Sequence, residues 1–177
     1  MPIQQRVGII KPTAAAFTTS STGTATGTKT HTSDGNAYDA STATAAVLSV
    51  AMTTPVTASG SQSQIATYTT FGTGYMVCQL NVICDCSVTE NAGGAGSFSS
   101  VLLEYSINGG GAWFSFASNA SSGPNWANTT LSHAFTSLLD ISQLQVRATV
   151  TGQSSFVDAS HKSNCDGSLT IYDIAIS

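Results

Sequence analysis

Residues 75–89 read YMVCQLNVICDCSVT, and apolar side chains occupy every second position through most of this stretch. One face carries Met76, Cys78, Leu80, Val82, Cys84, Cys86 and Val88, whereas Gln79, Asn81, Asp85 and Ser87 fall on the other. A period of two is typical of a β-strand with one buried face. At ~3.3 Å per residue, such a stretch is longer than one layer of a sandwich. We therefore expect a long strand with a β-bulge or a bend between sheets.

The same alternation recurs along the chain and leaves little room for helix. It is clear in VLLEYSI (Val101–Ile107) and LQVRATV (Leu144–Val150), and only Ser132–Gln143 has a hint of helical spacing. Shorter candidate strands, bounded by Gly, Pro, Asn or Ser, are Arg6–Lys11, Ala45–Met52, Ser63–Thr69, Ala112–Ala117, Thr129–Phe135 and Ser168–Ile176. About nine alternating strands predict an all-β fold, an antiparallel β-sandwich of jelly-roll type.

Composition restricts the partners of this fold. The chain has 177 residues, of which 41% are hydrophobic and only 8% are charged, so hydroxyl and amide groups must cover much of the surface. Five Lys and Arg against nine Asp and Glu give a formal charge of −4. Because nucleic-acid binding needs clustered positive charge, we do not expect a nucleic-acid partner. No segment approaches ~20 consecutive apolar residues and no secretion signal is recognisable, so we expect no membrane insertion.

The N-terminal region departs from the strand pattern. Residues 12–36 are rich in Thr, Ala, Ser and Gly, and Phe17 is their one large apolar residue. Such a segment cannot build a core of its own. It is either a surface loop or irregular edge strand, or an arm that becomes ordered on a neighbouring subunit. We divide the chain into residues 1–32, an N-terminal strand followed by this arm or loop, and residues 33–177, the jelly-roll domain.

A hairpin motif lies in the middle of the chain. Ser106, Asn108, Gly110 and Trp113 have the spacing S-x-[D/N]-x-G-x-x-W. Asn and Gly tolerate the positive φ angles of tight turns, so a hairpin is predicted here. The motif resembles the Asp-box of sialidases and other β-proteins, with Asn in place of the usual Asp. The resemblance implies a folding element that is remote from catalysis.

The four cysteines allow three interpretations. Cys84 and Cys86 share one face of a strand, and with His161 and Cys165 they could form a zinc site, although the chain is large enough to fold without a metal. Cys165 could instead form a disulfide with Cys78, Cys84 or Cys86. The favoured interpretation is that the thiols are small buried side chains, and zinc is not expected.

Other chemistry-bearing residues are sparse. Asp34, Asn36 and Asp39 surround a glycine and could provide oxygen ligands for Ca²⁺, although an Asx-turn loop is the favoured interpretation. Familiar catalytic motifs are absent from the sequence. No pair can be chosen for glycoside hydrolysis from the carboxylates Asp85, Glu104, Asp140 and Asp173. We therefore expect a protein without enzymatic activity.

Three segments carry a resemblance to a family. GNAYDASTATAAV (residues 35–47), LEYSINGGGAWFSF (103–116) and LQVRATVTGQ with GSLTIYDIAIS (144–153 and 167–177) resemble, in their order, jelly-roll proteins of bacteriophage virions and carbohydrate-binding-module β-sandwiches. The resemblance implies a virion structural protein, either capsid-decorating or tail-associated. Such a protein would be made in the host cytoplasm without a signal peptide and would dock on identical or neighbouring subunits, so a homo-oligomer is expected.

The alternative function is a carbohydrate-binding or host-receptor-binding module. The sequence shows no cluster of exposed aromatic residues of the kind that stacks on sugar rings. Trp126, in the turn-rich segment SSGPNWANTT, is the one candidate for contact with a surface glycan. Its ring either stands exposed at a loop tip or closes the end of the sandwich.

Overall fold

A computed structural model describes residues 9–32, 45–53, 55–92, 99–120 and 123–177. These residues form twelve β-strands and one short 3₁₀ turn, Ile141–Gln143. The strands are β1 Ala14–Gly23, β2 Gly27–Thr32, β3 Ala46–Met52, β4 Gly60–Thr69, β5 Tyr75–Met76, β6 Gln79–Ala92, β7 Ser99–Ser106, β8 Phe114–Ala120, β9 Trp126–Ala134, β10 Leu139–Asp140, β11 Gln145–Asp158 and β12 His161–Ile176. The all-β class predicted from the sequence is confirmed. Among the described residues, none forms a helix that is long and apolar enough to cross a membrane.

The long hairpin of β11 and β12 joins two five-stranded antiparallel sheets. Strand β11 pairs with β4 along one edge, and along the other it pairs first with β7 and then with β12. Strand β12 pairs with β6 along one edge and with β11 and then β3 along the other. The first sheet therefore has the order β1-β4-β11-β7-β8, and the second has β2-β3-β12-β6-β9. Most connections cross between the sheets, as in a jelly-roll sandwich.

The core fills the space between the two sheets. Tyr68, Leu80, Leu103 and Leu169 are fully buried there, each on a strand that alternates between buried and more exposed positions. Full burial of one such aliphatic side chain stabilises the fold by roughly 1.5–3 kcal/mol relative to exposure. The alternation predicted for residues 75–89 holds, because Cys78, Leu80, Val82, Cys84 and Cys86 are all buried.

The predicted long strand is interrupted once, and its partner β9 carries a bulge. Tyr75 and Met76 form a separate two-stranded sheet with β10, and the main strand begins at Gln79. The pairing of β6 with β9 shifts register between Cys84 and Cys86, where two residues of β9 stand opposite one of β6, so this bulge lies on β9 and not on the predicted strand. The segment with a hint of helical spacing, Ser132–Gln143, forms the end of β9, β10 and the 3₁₀ turn.

Two edge strands lie within the predicted N-terminal segment 1–32. Strand β1 pairs with β4 along its whole length, and β2 pairs with β3. Few of their side chains are buried, but Ala15 and Phe17 pack against the core. Backbone hydrogen bonds to the chain's own sheets therefore order β1 and β2 despite their polar composition. The domain boundary at residue 32 stays a prediction.

The sandwich has two lateral edges where the outermost strands of the sheets face each other. At one edge β1 faces β2, since the rings of Phe17 and His31 stack with their centroids 4.3 Å apart. At the other edge β7 and β8 face β9, since the rings of Tyr105 and His133 lie 4.4 Å apart. The second edge contains the candidate site.

Candidate functional site

The hairpin between β7 and β8 is closed by its own side chains. Ser106 Oγ accepts a hydrogen bond from the Gly110 N–H at 2.9 Å, and Asn108 Oδ1 accepts one from the Ala112 N–H at 2.9 Å. Gly109 and Gly110 have φ angles of 68° and 93°, which glycine adopts without strain. Every motif residue up to Gly110 thus serves the turn, as the Asp-box resemblance implied.

Trp113, the last residue of the motif, contacts the outer face of the first sheet. The Arg147 guanidinium lies 4.1 Å from the centroid of the Trp113 ring. The same guanidinium donates to Glu104 Oε2 through Nε and Nη2, at 2.8 Å each. Because Arg147 is committed to both partners, this group holds the hairpin to the sheet.

Five aromatic rings meet at the lateral edge between β8 and β9. The ring of Tyr105 lies at the centre, with centroid distances of 5.5 Å to Phe114, 6.3 Å to Phe116, 4.4 Å to His133 and 5.1 Å to Phe135. Two of the rings come from β8, one from β7, and two from β9 and the residue that follows it. We call this cluster the aromatic edge.

The aromatic edge is neither core nor fully exposed surface. Tyr105, Phe116, His133 and Phe135 are half-buried, and Phe114 keeps 47% of its surface exposed. The Tyr105 hydroxyl and the His133 ring nitrogens make no hydrogen bond to the described part of the chain. The edge therefore offers ring faces and polar atoms to a ligand at one place, a combination typical of small-molecule sites.

The aromatic edge was not predicted from the sequence, and Phe114 is the one of its five rings that is exposed. The five residues are spread over residues 105–135, and each sits in a strand pattern that also fits a core position. Only the placement of β9 opposite β7 and β8, in different sheets, brings them together. The alternation within a single strand does not indicate which strands of the two sheets face each other.

The four carboxylates considered for hydrolysis each have a structural partner. Glu104 binds Arg147, and Asp173 binds Lys11 Nζ at 2.8 Å. Asp140 accepts hydrogen bonds from the backbone N–H and the hydroxyl of Ser142. Asp85 accepts hydrogen bonds from the Tyr172 hydroxyl and from the Asn128 N–H. The hydrogen bond from Tyr172 to Asp85 raises the pKa of Tyr172. None of the four is available as a free acid or base.

The residues of the proposed zinc set are not brought together. On β12, Leu169 pairs with Cys86, and Cys165 lies four residues before it, at ~13 Å along a strand. His161 lies further away, at the exposed β11–β12 turn, where it pairs with Asp158. No group of three or more His, Cys, Asp or Glu side chains within the described ranges could hold a metal ion.

All four cysteines are buried. A disulfide between Cys165 and Cys86 would need their Cα atoms within ~7 Å, which the register excludes. Burial, with smaller effects from Cys86 and Asp85, raises the pKa of the Cys84 thiol to about 12. Such a thiol stays protonated and is a poor nucleophile or metal ligand.

Two predicted ligand sites remain as predictions. The calcium candidates Asp34, Asn36 and Asp39 lie outside the described residues. Trp126 begins β9, with its Cα opposite that of Cys86, and its half-buried ring packs against the core. It lies seven residues along β9 from His133 and is not part of the aromatic edge.

Comparison with known proteins gives only distant likeness. No family model matches the sequence, and no curated protein matches it. Among solved structures, the chain is similar to the CBM32 of AlyQ in complex with 4,5-unsaturated mannuronic acid, with 16% identity, a TM-score of 0.42, and 96% of this chain and 98% of that chain covered. It is also similar to the family 32 CBM from C. perfringens NanJ in complex with galactose, with 13% identity, a TM-score of 0.37, and coverage of 90% and 92%. Because both TM-scores are below 0.5, the fold assignment rests on the strand pairing of this chain alone.

Proposed function

We propose that this chain is a non-catalytic carbohydrate-binding module whose ligand contacts the aromatic edge. The observation that carries the proposal is the half-exposed cluster centred on Tyr105, with the uncommitted Tyr105 hydroxyl and His133 nitrogens beside it. Aromatic faces pack against the apolar C–H faces of a sugar ring, and the nearby polar atoms can orient its hydroxyls.

The strands that carry these rings hold them in place before any ligand arrives. Tyr105 and Phe114 are opposite residues in the β7–β8 ladder, and His133 lies on β9, which pairs with β6. Side chains fixed on paired strands lose little conformational entropy on binding. The edge is thus a preorganised surface for a ring-shaped ligand.

The direct test is a glycan array and titration with the Phe114→Ala variant. Phe114 is the most exposed ring of the edge, so its removal should lower affinity for a bound glycan at least tenfold while changing the melting temperature by only a few degrees. Tyr75→Ala is the matched control, because Tyr75 is 70% exposed and lies outside the edge. This control should bind as the parent does.

Two outcomes would contradict the proposal. One is that the parent protein binds no glycan on the array. The other is that Phe114→Ala and Tyr75→Ala bind as well as the parent, which would show that any glycan is held elsewhere, for example at Trp126.

A second candidate function is the virion structural role, with docking on identical or neighbouring subunits. A specific observation favours the docking part of this role: Tyr75, Val77 and Leu138 are exposed apolar side chains on and beside the small β5–β10 sheet, and Leu138 keeps 66% of its surface exposed. Exposed apolar clusters are typical of protein interfaces.

Sedimentation should then give an oligomer that Leu138→Lys dissociates, whereas Val157→Lys, at the β11–β12 turn, leaves it intact. A monomeric parent protein would contradict self-assembly.

A further inference from the structure

The positive charges of the chain are few, and nearly all of those described are committed. The chain has five Lys and Arg residues, of which Arg6 lies outside the described residues. Lys11 binds Asp173, Lys29 donates to Gln62 Oε1 at 2.8 Å, and Arg147 binds Glu104. The remaining one, Lys162, is beside Phe156 near the β11–β12 turn, at the opposite end of the sandwich from His133.

Arg147 is the cation closest to the aromatic edge in the strand ladder, but it faces away from the edge. Its Cα is opposite Glu104, the neighbour of Tyr105, and successive residues of a strand point to opposite faces of the sheet. The guanidinium is also covered by the Trp113 ring and bound twice to one carboxylate oxygen. Among the described residues, Lys11, Lys29 and Arg147 are held by their partners and Lys162 lies at the other end of the sandwich, so no Lys or Arg is available beside the edge.

A ligand carboxylate on this surface would therefore lose water and gain no cation, with only the Tyr105 hydroxyl and the His133 ring as nearby hydrogen-bond donors. Removal of an ionised carboxylate from water costs much more than removal of a hydroxyl unless a cation or several hydrogen-bond donors replace the water. The formal charge of −4 adds long-range repulsion of anions. A sugar hydroxymethyl group is uncharged, so it has neither the large cost of leaving water nor the long-range repulsion.

We infer that the aromatic edge binds neutral glycans and rejects uronic acids, an inference that rests on the proposed carbohydrate-binding function. The selectivity comes from the absence of a free cation beside Tyr105, Phe114 and His133 in the described structure. This selectivity distinguishes a hydroxymethyl group from a carboxylate at C6 of the sugar, and it does not depend on which hexose is bound.

The test uses pairs of polymers that differ in a C6 hydroxymethyl or carboxylate group. Titrations of the full chain compare glucan with polyglucuronate, mannan with polymannuronate and galactan with polygalacturonate, in low salt at pH 8. We expect at least one neutral polymer to bind and its uronate partner to bind at least tenfold more weakly. Phe114→Ala should abolish the difference by weakening the neutral polymer.

The possible failures are distinguishable. A uronate that binds as tightly as its neutral partner overturns this inference and leaves the carbohydrate-binding function standing. Binding of none of the six polymers, with a glycan array that is also empty, overturns the proposed function and this inference together.

Discussion

Asn108 illustrates how one side chain closes a turn. Its Oδ1 accepts from the Ala112 N–H at 2.9 Å and from the Ser106 hydroxyl at 2.8 Å. Asn108→Ala removes both hydrogen bonds, so we expect a loss of about 1–2 kcal/mol in the free energy of unfolding, measured by urea denaturation. Asn108→Asp keeps the acceptor oxygen and restores the usual Asp-box residue, so it should be close to the parent. An equal loss in both variants would mean that the amide group itself matters.

Variants of the two tryptophans distinguish a structural role from a role in glycan binding. Trp113 is covered by Arg147, and Trp126 is half-buried against the core. We expect both Trp→Ala variants to lower the melting temperature, with losses below the ~3–5 kcal/mol that is typical of fully buried rings. Glycan binding should survive Trp126→Ala. A Trp126→Ala variant that keeps its stability but loses glycan affinity would move the ligand site from the aromatic edge to the start of β9.

At the level of elements, the edge strands β1 and β2 are held by their own chain. Strand β2 pairs with β3, and Lys29 Nζ bonds Gln62 Oε1 on β4. We therefore expect trypsin to leave the bond after Lys29 intact in the native isolated protein and to cut it in denaturing urea, as followed by mass spectrometry. Rapid native cleavage after Lys29 would instead support an arm that becomes ordered only on a partner.

Prediction from the sequence succeeded for strands with one buried face and failed for contacts between strands. The alternation in residues 75–89 identified the buried side of β6 because a period of two is a local property. The N-terminal strands lack it, since β1 exposes most of its side chains and is ordered by pairing with β4. The aromatic edge depends on β9 facing β7 across two sheets, and no local pattern encodes that register.

At the scale of the whole molecule, paired hydroxyl groups take the place of charges on the sheet faces. Thr30, Ser49, Ser168 and Ser87 are successive neighbours across the second sheet, and Thr30 and Ser49 are hydrogen-bonded. On the first sheet, Ser63 and Thr151 form a similar pair at 2.9 Å. Such surfaces stay hydrated with little net charge, which leaves the few ionic groups to fix the hairpin and the chain ends.

The rate at which the buried thiols react measures the unfolding of the whole molecule. Cys78, Cys84, Cys86 and Cys165 are each at most 5% exposed, so a thiol reagent at pH 8 should modify them only as fast as the protein unfolds. The pKa of Cys84 is about 12 in the fold, against 9.0 for an ordinary thiol. Between these values the unfolded chain loses a proton that the folded chain keeps, so its ionisation favours unfolding.

We therefore expect the contribution of Cys84 to stability to be complete below pH 9 and to be lost as pH rises toward about 12. The loss should be on the order of a few kcal/mol in the free energy of unfolding, measured by urea denaturation at successive pH values. Cys84→Ala should be less stable at neutral pH because it leaves a cavity, but its stability should fall less steeply across this range. Parallel curves for the parent and Cys84→Ala would show that the alkaline loss comes from other groups, such as Tyr172, whose pKa is also raised.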